Sequence, residues 1–183
     1  WRYLYHYPTQ LKRYGKQVTV EGNYRALEIL SEIDIDLVAG YIPIDPAMNI
    51  TELKENLDFL QRTGMYKKIT NPLSVLRIQK GSPYLKLAKN RGLLGEQTED
   101  LVFYKAKFED QRVQRVAEIA DQWVEDMYVL MFGLKGEVAS QTLLHGPGGE
   151  TTVASRNVEA VLHSFREMEM EFIQSITSDL LTN

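Results

Sequence analysis

The stretch that decides the fold is residues 49–81, which read NITELKENLDFLQRTGMYKKITNPLSVLRIQKG. Its first half has apolar residues at three- and four-residue spacing, a pattern that predicts a helix with one buried face. These residues are Ile50, Leu53, Leu57 and Leu60. Asn49 and Glu52 form a capping-box pattern at the start of this helix, and Gly64 supplies a left-handed stop after it. The helix is therefore predicted to be bounded at both ends.

The second half of this stretch favours two short strands. Residues 65–70 and 74–79 are each rich in apolar and β-branched side chains, and Asn71 with Pro72 favours a turn between them. Lys67 and Lys68 make the first strand basic. The sequence therefore predicts a helix followed by a small β-hairpin that closes at Lys80 and Gly81.

Upstream of this stretch, residues 1–15 hold an aromatic cluster. It favours a packing helix, and the alternative is an interfacial belt beside a membrane, where Trp and Tyr are enriched. Asn23 can cap a helix that runs to about residue 33. Residues 33–37 alternate apolar and acidic side chains, so either the helix ends there or a short second helix covers residues 35–41. Pro43 and Pro46 then bound a turn.

Downstream, three more helices are predicted. Ser82 as N-cap and Pro83 as first helical residue begin a helix that stops at Gly92. Thr98 caps a long helix to Gly133, whose apolar residues form a coiled-coil-like seam. Gly146 to Gly149 form a linker, and a last amphipathic helix begins at about Thr152. The two long helices are expected to form an antiparallel pair.

Charge divides the chain into two parts. Residues 1–92 contain 14 Lys and Arg against 9 Asp and Glu, or +5, while residues 93–183 contain 7 against 16, or −9. We therefore expect a basic domain over 1–92 and an acidic helical dimerisation or interaction region over 93–183. The chain has no cysteine, which excludes disulfides, thiol catalysis and Cys-type zinc sites. No apolar run approaches the ~20 residues of a membrane span, and a cytoplasmic location is expected.

The order of these elements over residues 24–88 resembles a winged helix-turn-helix domain of MarR- and PadR-type transcription regulators. A first helix at residues 23–32, a second at 35–41, a recognition helix at 50–63 and a wing before residue 81 follow that family's order. The resemblance implies a mainly α fold with a winged helix-turn-helix domain and a small β-hairpin wing. Long C-terminal helices forming an antiparallel pair would follow this domain.

The resemblance also implies a dimeric DNA-binding transcriptional regulator. In such a domain one helix enters the major groove and basic wing residues hold phosphates. The implied contacts to double-stranded DNA are Asn49, Thr51, Lys54, Arg62, Lys67, Lys68, Arg77 and Lys80. The implied dimerisation residues are Trp1, Tyr5, Val116, Trp123, Met127, Phe165 and Phe172. The homodimer would place two recognition helices about one DNA turn, ~34 Å, apart.

Two alternatives remain open. Glu52, Glu55 and Asp58 place negative charge on the supposed reading helix, which favours a non-enzymatic helical module for protein–protein interaction or assembly. The aromatic N-terminus favours a membrane-proximal helical sensor domain.

No catalytic, metal or cofactor site is predicted. Glu159 and His163 lie four residues apart on one helical face, but a carboxylate-bridged metal centre needs several further ligands. Gly146 to Gly149 lacks the Lys and Ser or Thr of a phosphate-binding loop. We therefore expect no enzyme activity and no cofactor.

Overall fold

The computed structural model describes residues 8–13, 17–32, 40–69, 71–145 and 153–182. These ranges form the helices α1 (Pro8–Arg13), α2 (Val20–Glu32), α3 (Ile50–Thr63), α4 (Pro83–Asn90), α5 (Gln111–His145) and α6 (Val153–Thr182). They also form the strands β1 (Ile78–Gln79), β2 (Leu94–Gln97) and β3 (Phe103–Ala106), which make one antiparallel sheet in the order β1-β3-β2. The prediction of a mainly helical fold with a little β-structure is confirmed.

α3 lies at the centre of the core and has the predicted ends. The Asn49 side chain accepts from the backbone of Glu52, the Glu52 side chain accepts from the backbone of Asn49, and Gly64 adopts the left-handed conformation with φ 66°. The buried face of α3 packs against α5 and α6. The residues that meet there include Leu53, Leu57, Leu60, Val113, Val116, Ala120, Met170 and Ile173. The helix that the sequence defines best is therefore the one around which the core forms.

α5 and α6 lie side by side and run in opposite directions. The rings of Trp123 and Phe172 stack with their centroids 4.4 Å apart, in the first half of α5 and the second half of α6. Further along α5, the ammonium group of Lys135 lies in the electrostatic field of Arg166 and Glu169. Contacting residues therefore have rising numbers along α5 and falling numbers along α6, which is an antiparallel arrangement.

The long helix begins at Gln111 and not at Thr98, because residues 94–106 form a β-hairpin. Thr98 and Asp100 stabilise its turn: the Thr98 hydroxyl donates to Asp100 at 2.6 Å, and the Asp100 carboxylate accepts from the backbone of Val102 at 2.9 Å. Leu101 takes a positive φ of 58° in this turn. Thr and Asp can bond nearby backbone groups in turns as well as at helix starts, and here the turn prevails.

The predicted wing is wrong. Residues 65–67 form a turn of 3₁₀ helix, and β1 pairs with β3 instead of with the segment after α3. Asn71 and Pro72 do not join two strands: the Asn71 side chain accepts from the backbone of Leu73 at 2.8 Å and turns the chain inward, where Leu73 is buried. Tight hairpins favour positive φ at their central residues, which the ring of Pro72 forbids.

Other predictions fall on parts of the chain outside the described ranges. These are most of the short helix at 35–41, the linker at 146–149, and Trp1 and Tyr5 of the aromatic cluster. The division at residue 92 stays a prediction, and strands on either side of it pair through β1 and β3. Across the described ranges, no helix has both the length and the apolar character needed to cross a membrane.

Candidate functional site

A cleft of about 690 Å³ opens between residues 71–77, β3 and the first half of α5. This volume lies in the range of small-molecule sites, ~300–1,000 Å³. The cleft holds both charged and aromatic side chains, including Arg77, Asp100, Phe103, Lys105, Asp121 and Glu125. It is the candidate functional site because it has the volume of a small-molecule site and is lined by aromatic rings and by charges of both signs.

Arg77 is the main cation of the cleft. Its guanidinium carbon lies 5.7 Å from the centroid of the Phe103 ring, a cation–π arrangement. The positive charge of Arg77 acts to lower the pKa values of Asp100 and Asp121. Among the described residues, the Arg77 side chain forms no hydrogen bond or ion pair. The ring therefore holds the guanidinium in place while its donors stay available to a ligand.

The opposite wall of the cleft is acidic. Glu118, Asp121 and Glu125 follow one another at three- and four-residue spacing, so they lie along one side of α5. Partial desolvation of its carboxylate by the surrounding cleft raises the pKa of Asp121 above its ordinary value, although the side chain is still exposed. The charge of Arg77 opposes this effect and the charge of Glu125 adds to it. The acidic wall can therefore bind a cationic group, and Asp121 keeps its proton to a higher pH than an ordinary aspartate does.

The cleft supports binding better than it supports chemistry. A guanidinium fork suits a carboxylate or phosphate, and the acids of α5 suit a cation. Within the ranges that the structure describes, no three histidine, aspartate or glutamate side chains gather closely enough to hold a metal ion. Glu159 and His163, the pair with metal-ligand spacing, lie exposed on α6.

A second polar cluster supports the N-terminal end of α3. The Arg13 guanidinium donates to Asp45 at 3.3 Å and to Glu52 at 3.2 Å, with all three side chains almost fully buried. The Tyr84 hydroxyl donates to Asp45 at 2.6 Å. These contacts join α1, α4 and the turn before α3.

The residues predicted to contact DNA do not form one surface of free cations. Asn49 caps α3, Lys54 pairs with Asp58 at 2.6 Å and Lys67 pairs with Glu167 at 2.7 Å. Arg77 lines the cleft. The others, Thr51, Arg62, Lys68 and Lys80, are exposed.

Most residues predicted for dimerisation have partners inside the chain. Val116 and Phe165 are buried, Trp123 stacks on Phe172, and Met127 is half-buried. Trp1 and Tyr5 lie outside the described ranges. Trp123 and Phe172 therefore take part in the contact between α5 and α6, and dimerisation through the predicted residues stays a prediction.

Sequence reasoning missed Arg13, Asp45, Tyr84, Phe103 and Asp121. Phe103 had a usable signal, since the run of Val, Phe and Tyr at 102–104 favours a strand. The buried cluster had none, because its members come from segments 32 and 39 residues apart in the chain.

Comparisons with known proteins point to enzymes. No family model matches the chain. The 4′-phospho-dehydrooxetanocin synthase of Priestia megaterium is 50% identical over 60 residues, which are 32% of this chain and 8% of that protein. The chain also resembles the cobalamin-dependent S-adenosylmethionine radical enzyme OxsB, with 21% identity, a TM-score of 0.69 for the apo form and 0.70 for the form with aqua-cobalamin. These matches cover 93% and 92% of this chain but 28% of OxsB.

These comparisons correct the predicted function. The resemblance to a winged-helix regulator, the DNA partner and the absence of enzyme activity are wrong, because the proteins found are named as enzymes. The two non-enzymatic alternatives are overturned by the same finding. At 21% identity the structural similarity establishes the fold, and the chain spans 28% of the length of the solved neighbours.

The residues of this chain do not fit the cofactor chemistry that those names imply. Radical chemistry with S-adenosylmethionine uses an iron–sulfur cluster, and such clusters are held by cysteine thiolates. The chain contains no cysteine. In open α/β sheets, nucleotide cofactors bind at the carboxyl ends of parallel strands, whereas the three-stranded sheet of the described residues is antiparallel. A cluster of this kind needs ligands from outside these 183 residues.

Proposed function

We propose that this chain is a helical module of a cobalamin-dependent S-adenosylmethionine radical enzyme, and that the cofactors are held by another part of that enzyme. The observation that carries the proposal is a fold shared with OxsB over 93% of this chain and 28% of that protein. The 60 residues that are 50% identical to 4′-phospho-dehydrooxetanocin synthase also support it.

The composition of the chain agrees with a supporting role in such an enzyme. With no cysteine, it supplies no thiolate to a cluster. It supplies instead a hydrophobic core formed by α3, α5 and α6 and an open cleft lined in part by Arg77. In this role the module provides contact surface and binding groups, while the reaction takes place at the cofactors.

The test is an anaerobic assay of the native polypeptide or complex that contains this chain. We expect the visible absorption spectrum of bound cobalamin, and conversion of S-adenosylmethionine to 5′-deoxyadenosine when reductant is added. The matched control is the isolated 183-residue chain, which should give neither signal. It has no cysteine to hold the cluster that cleaves S-adenosylmethionine, and the proposal places cobalamin in another part of the enzyme. A native preparation that binds no cobalamin and leaves S-adenosylmethionine intact contradicts the proposal.

A further inference from the structure

The second half of α5 contains six consecutive apolar residues, MYVLMF at 127–132, which we call the apolar segment. Met131 is 4% exposed, but Val129 is 82% exposed and Phe132 is 54% exposed. Tyr128 and Leu130 are each 51% exposed. A helix that is apolar on all sides is typical of one that is buried on all sides. Within the part of the chain that the structure describes, α6 packs along α5, yet these four exposed side chains stay more than half exposed.

The exposed side chains of the apolar segment lie around the rest of the helix. Successive residues are rotated by about 100°, so Tyr128 and Phe132 share one side while Val129 and Leu130 lie progressively further round. The rings of Tyr128 and Phe132 are 4.3 Å apart. Contiguous apolar surface of this kind marks an interaction site on a folded protein.

The surroundings of the apolar segment define the chemistry of its partner. Asp121, Glu125 and Asp126 are exposed on the N-terminal side of the segment. Asp121, Glu125, Tyr128 and Phe132 recur at the spacing of one helical face, so the acidic wall of the cleft continues into the apolar surface. Six residues are far fewer than the ~20 of a membrane span. The fitting partner is a protein surface with an apolar patch beside lysines or arginines.

We infer that the apolar segment is the surface on which this chain docks onto the cofactor-holding part of the enzyme. The inference rests on the proposed function. Because the chain spans 28% of the solved neighbours, most of an enzyme of that kind lies outside it. Because the chain has no cysteine, the cluster lies in that outside part. An exposed apolar patch beside polar residues is typical of a protein–protein contact.

The experiment uses photo-crosslinking in the native polypeptide or complex. p-Benzoylphenylalanine replaces Phe132, which it resembles in shape, or Ile29, which is 45% exposed on α2 and serves as the control position. After irradiation, mass spectrometry identifies the attached peptide. We expect position 132 to link to residues outside 1–183, on the cofactor-holding part, and position 29 to give no such link.

A second substitution tests the energetics of the same contact. Val129→Glu adds a carboxylate to a helix surface already next to three acids, so it should lower the crosslink yield from position 132 about tenfold. Ile29→Glu makes a similar change on another helix and should leave the yield unchanged. Both sites are exposed, so both variants should fold.

Several outcomes would overturn the inference. They are a link from position 132 only to a second copy of this chain, a link only to residues 1–7, no link at all, or an equal yield with Val129→Glu. The cobalamin spectrum of the same sample separates the two proposals. A sample with cobalamin but without the expected link contradicts the docking surface alone, while a sample without cobalamin contradicts the proposed function.

Discussion

The hydroxyl group of Tyr84 donates a 2.6 Å hydrogen bond to the carboxylate of Asp45, and this contact joins α4 to the turn that precedes α3. Asp45 is 1% exposed and also receives hydrogen bonds from Arg13 and the backbone of Ala47. A carboxylate so deeply buried is stable only while its donors are in place. Tyr84 is therefore a structural residue of the N-terminal half.

Tyr84→Phe should destabilise the protein by about 1.5–3 kcal/mol, the usual range for a hydrogen bond to a charged group. The substitution keeps the ring and removes only the donor. Urea denaturation gives the free energy of unfolding. Tyr128→Phe, at an exposed position on α5, is the control and should change it little. Equal effects of the two substitutions would show that the Asp45 contact contributes nothing.

Tyr84 should also make stability depend on alkaline pH. Burial, followed by the Asp45 carboxylate, raises the pKa of Tyr84 above its ordinary value of 10.0. Above about pH 10 the unfolded chain loses this proton while the folded chain keeps it, so stability falls as pH rises. Urea denaturation at several pH values should show a shallower fall in Tyr84→Phe than in the wild type. An unchanged slope would contradict the raised pKa.

Arg166→Met should be strongly destabilising. Arg166 donates to Glu169 at 2.6 Å with side chains 3% and 0% exposed, and removal of one partner of a buried pair costs about 3–5 kcal/mol. Burial already raises the pKa of Glu169, and loss of Arg166 should raise it further. The cost should therefore be smaller well below the ordinary Glu169 pKa of 4.5, where protonation removes the unpaired charge, than at about pH 7.

Arg115→Met is the matched control for Arg166→Met. Arg115 pairs with Glu118 at 3.4 Å, also three residues on, but their side chains are 63% and 50% exposed. Such a surface pair contributes about 0–1 kcal/mol. Thermal unfolding of both variants compares the buried with the exposed pair. A cost for Arg166→Met as small as that for Arg115→Met would contradict the burial of the pair.

Asn49→Ala should cost more than Ser82→Ala, although the sequence predicts both residues as N-caps. The Asn49 side chain accepts from the backbone of Glu52, whereas the Ser82 hydroxyl donates to the carbonyl of Gln79 and caps nothing. Loss of a capping side chain costs about 0.5–2 kcal/mol. Chemical denaturation of the two variants measures the difference. The reverse order would show that the capping box has no energetic role.

Two glycine substitutions should change stability in opposite directions. Gly64 has φ +66°, so Gly64→Ala should cost roughly 1–2 kcal/mol from backbone strain, with no atom within 4 Å of the added carbon. Gly133 lies inside α5, also with open space around it, so Gly133→Ala should stabilise by about 0.5–1 kcal/mol. Differential scanning calorimetry gives both signs. Two shifts of the same sign would contradict this assignment.

Features set by residues close together in the chain, such as helix ends, can be predicted from the sequence. Features set by residues far apart in the chain, such as strand pairing, cannot. The ends of α3 were predictable because Asn49, Glu52 and Gly64 act within one or two helical turns. The pairing of Ile78 with Tyr104 was not, since it joins residues 26 positions apart in the chain and depends on how the rest of the chain packs. The same holds for the cleft, where Arg77 meets Phe103 through that sheet.

α5 is also a mechanical lever. Val116 is fixed in the core, and Phe132 lies about 24 Å further along the helix axis. If α5 stays straight, a tilt of about 5° at Val116 moves Phe132 by about 2 Å. A small rearrangement around the cleft would then become a larger displacement at Phe132.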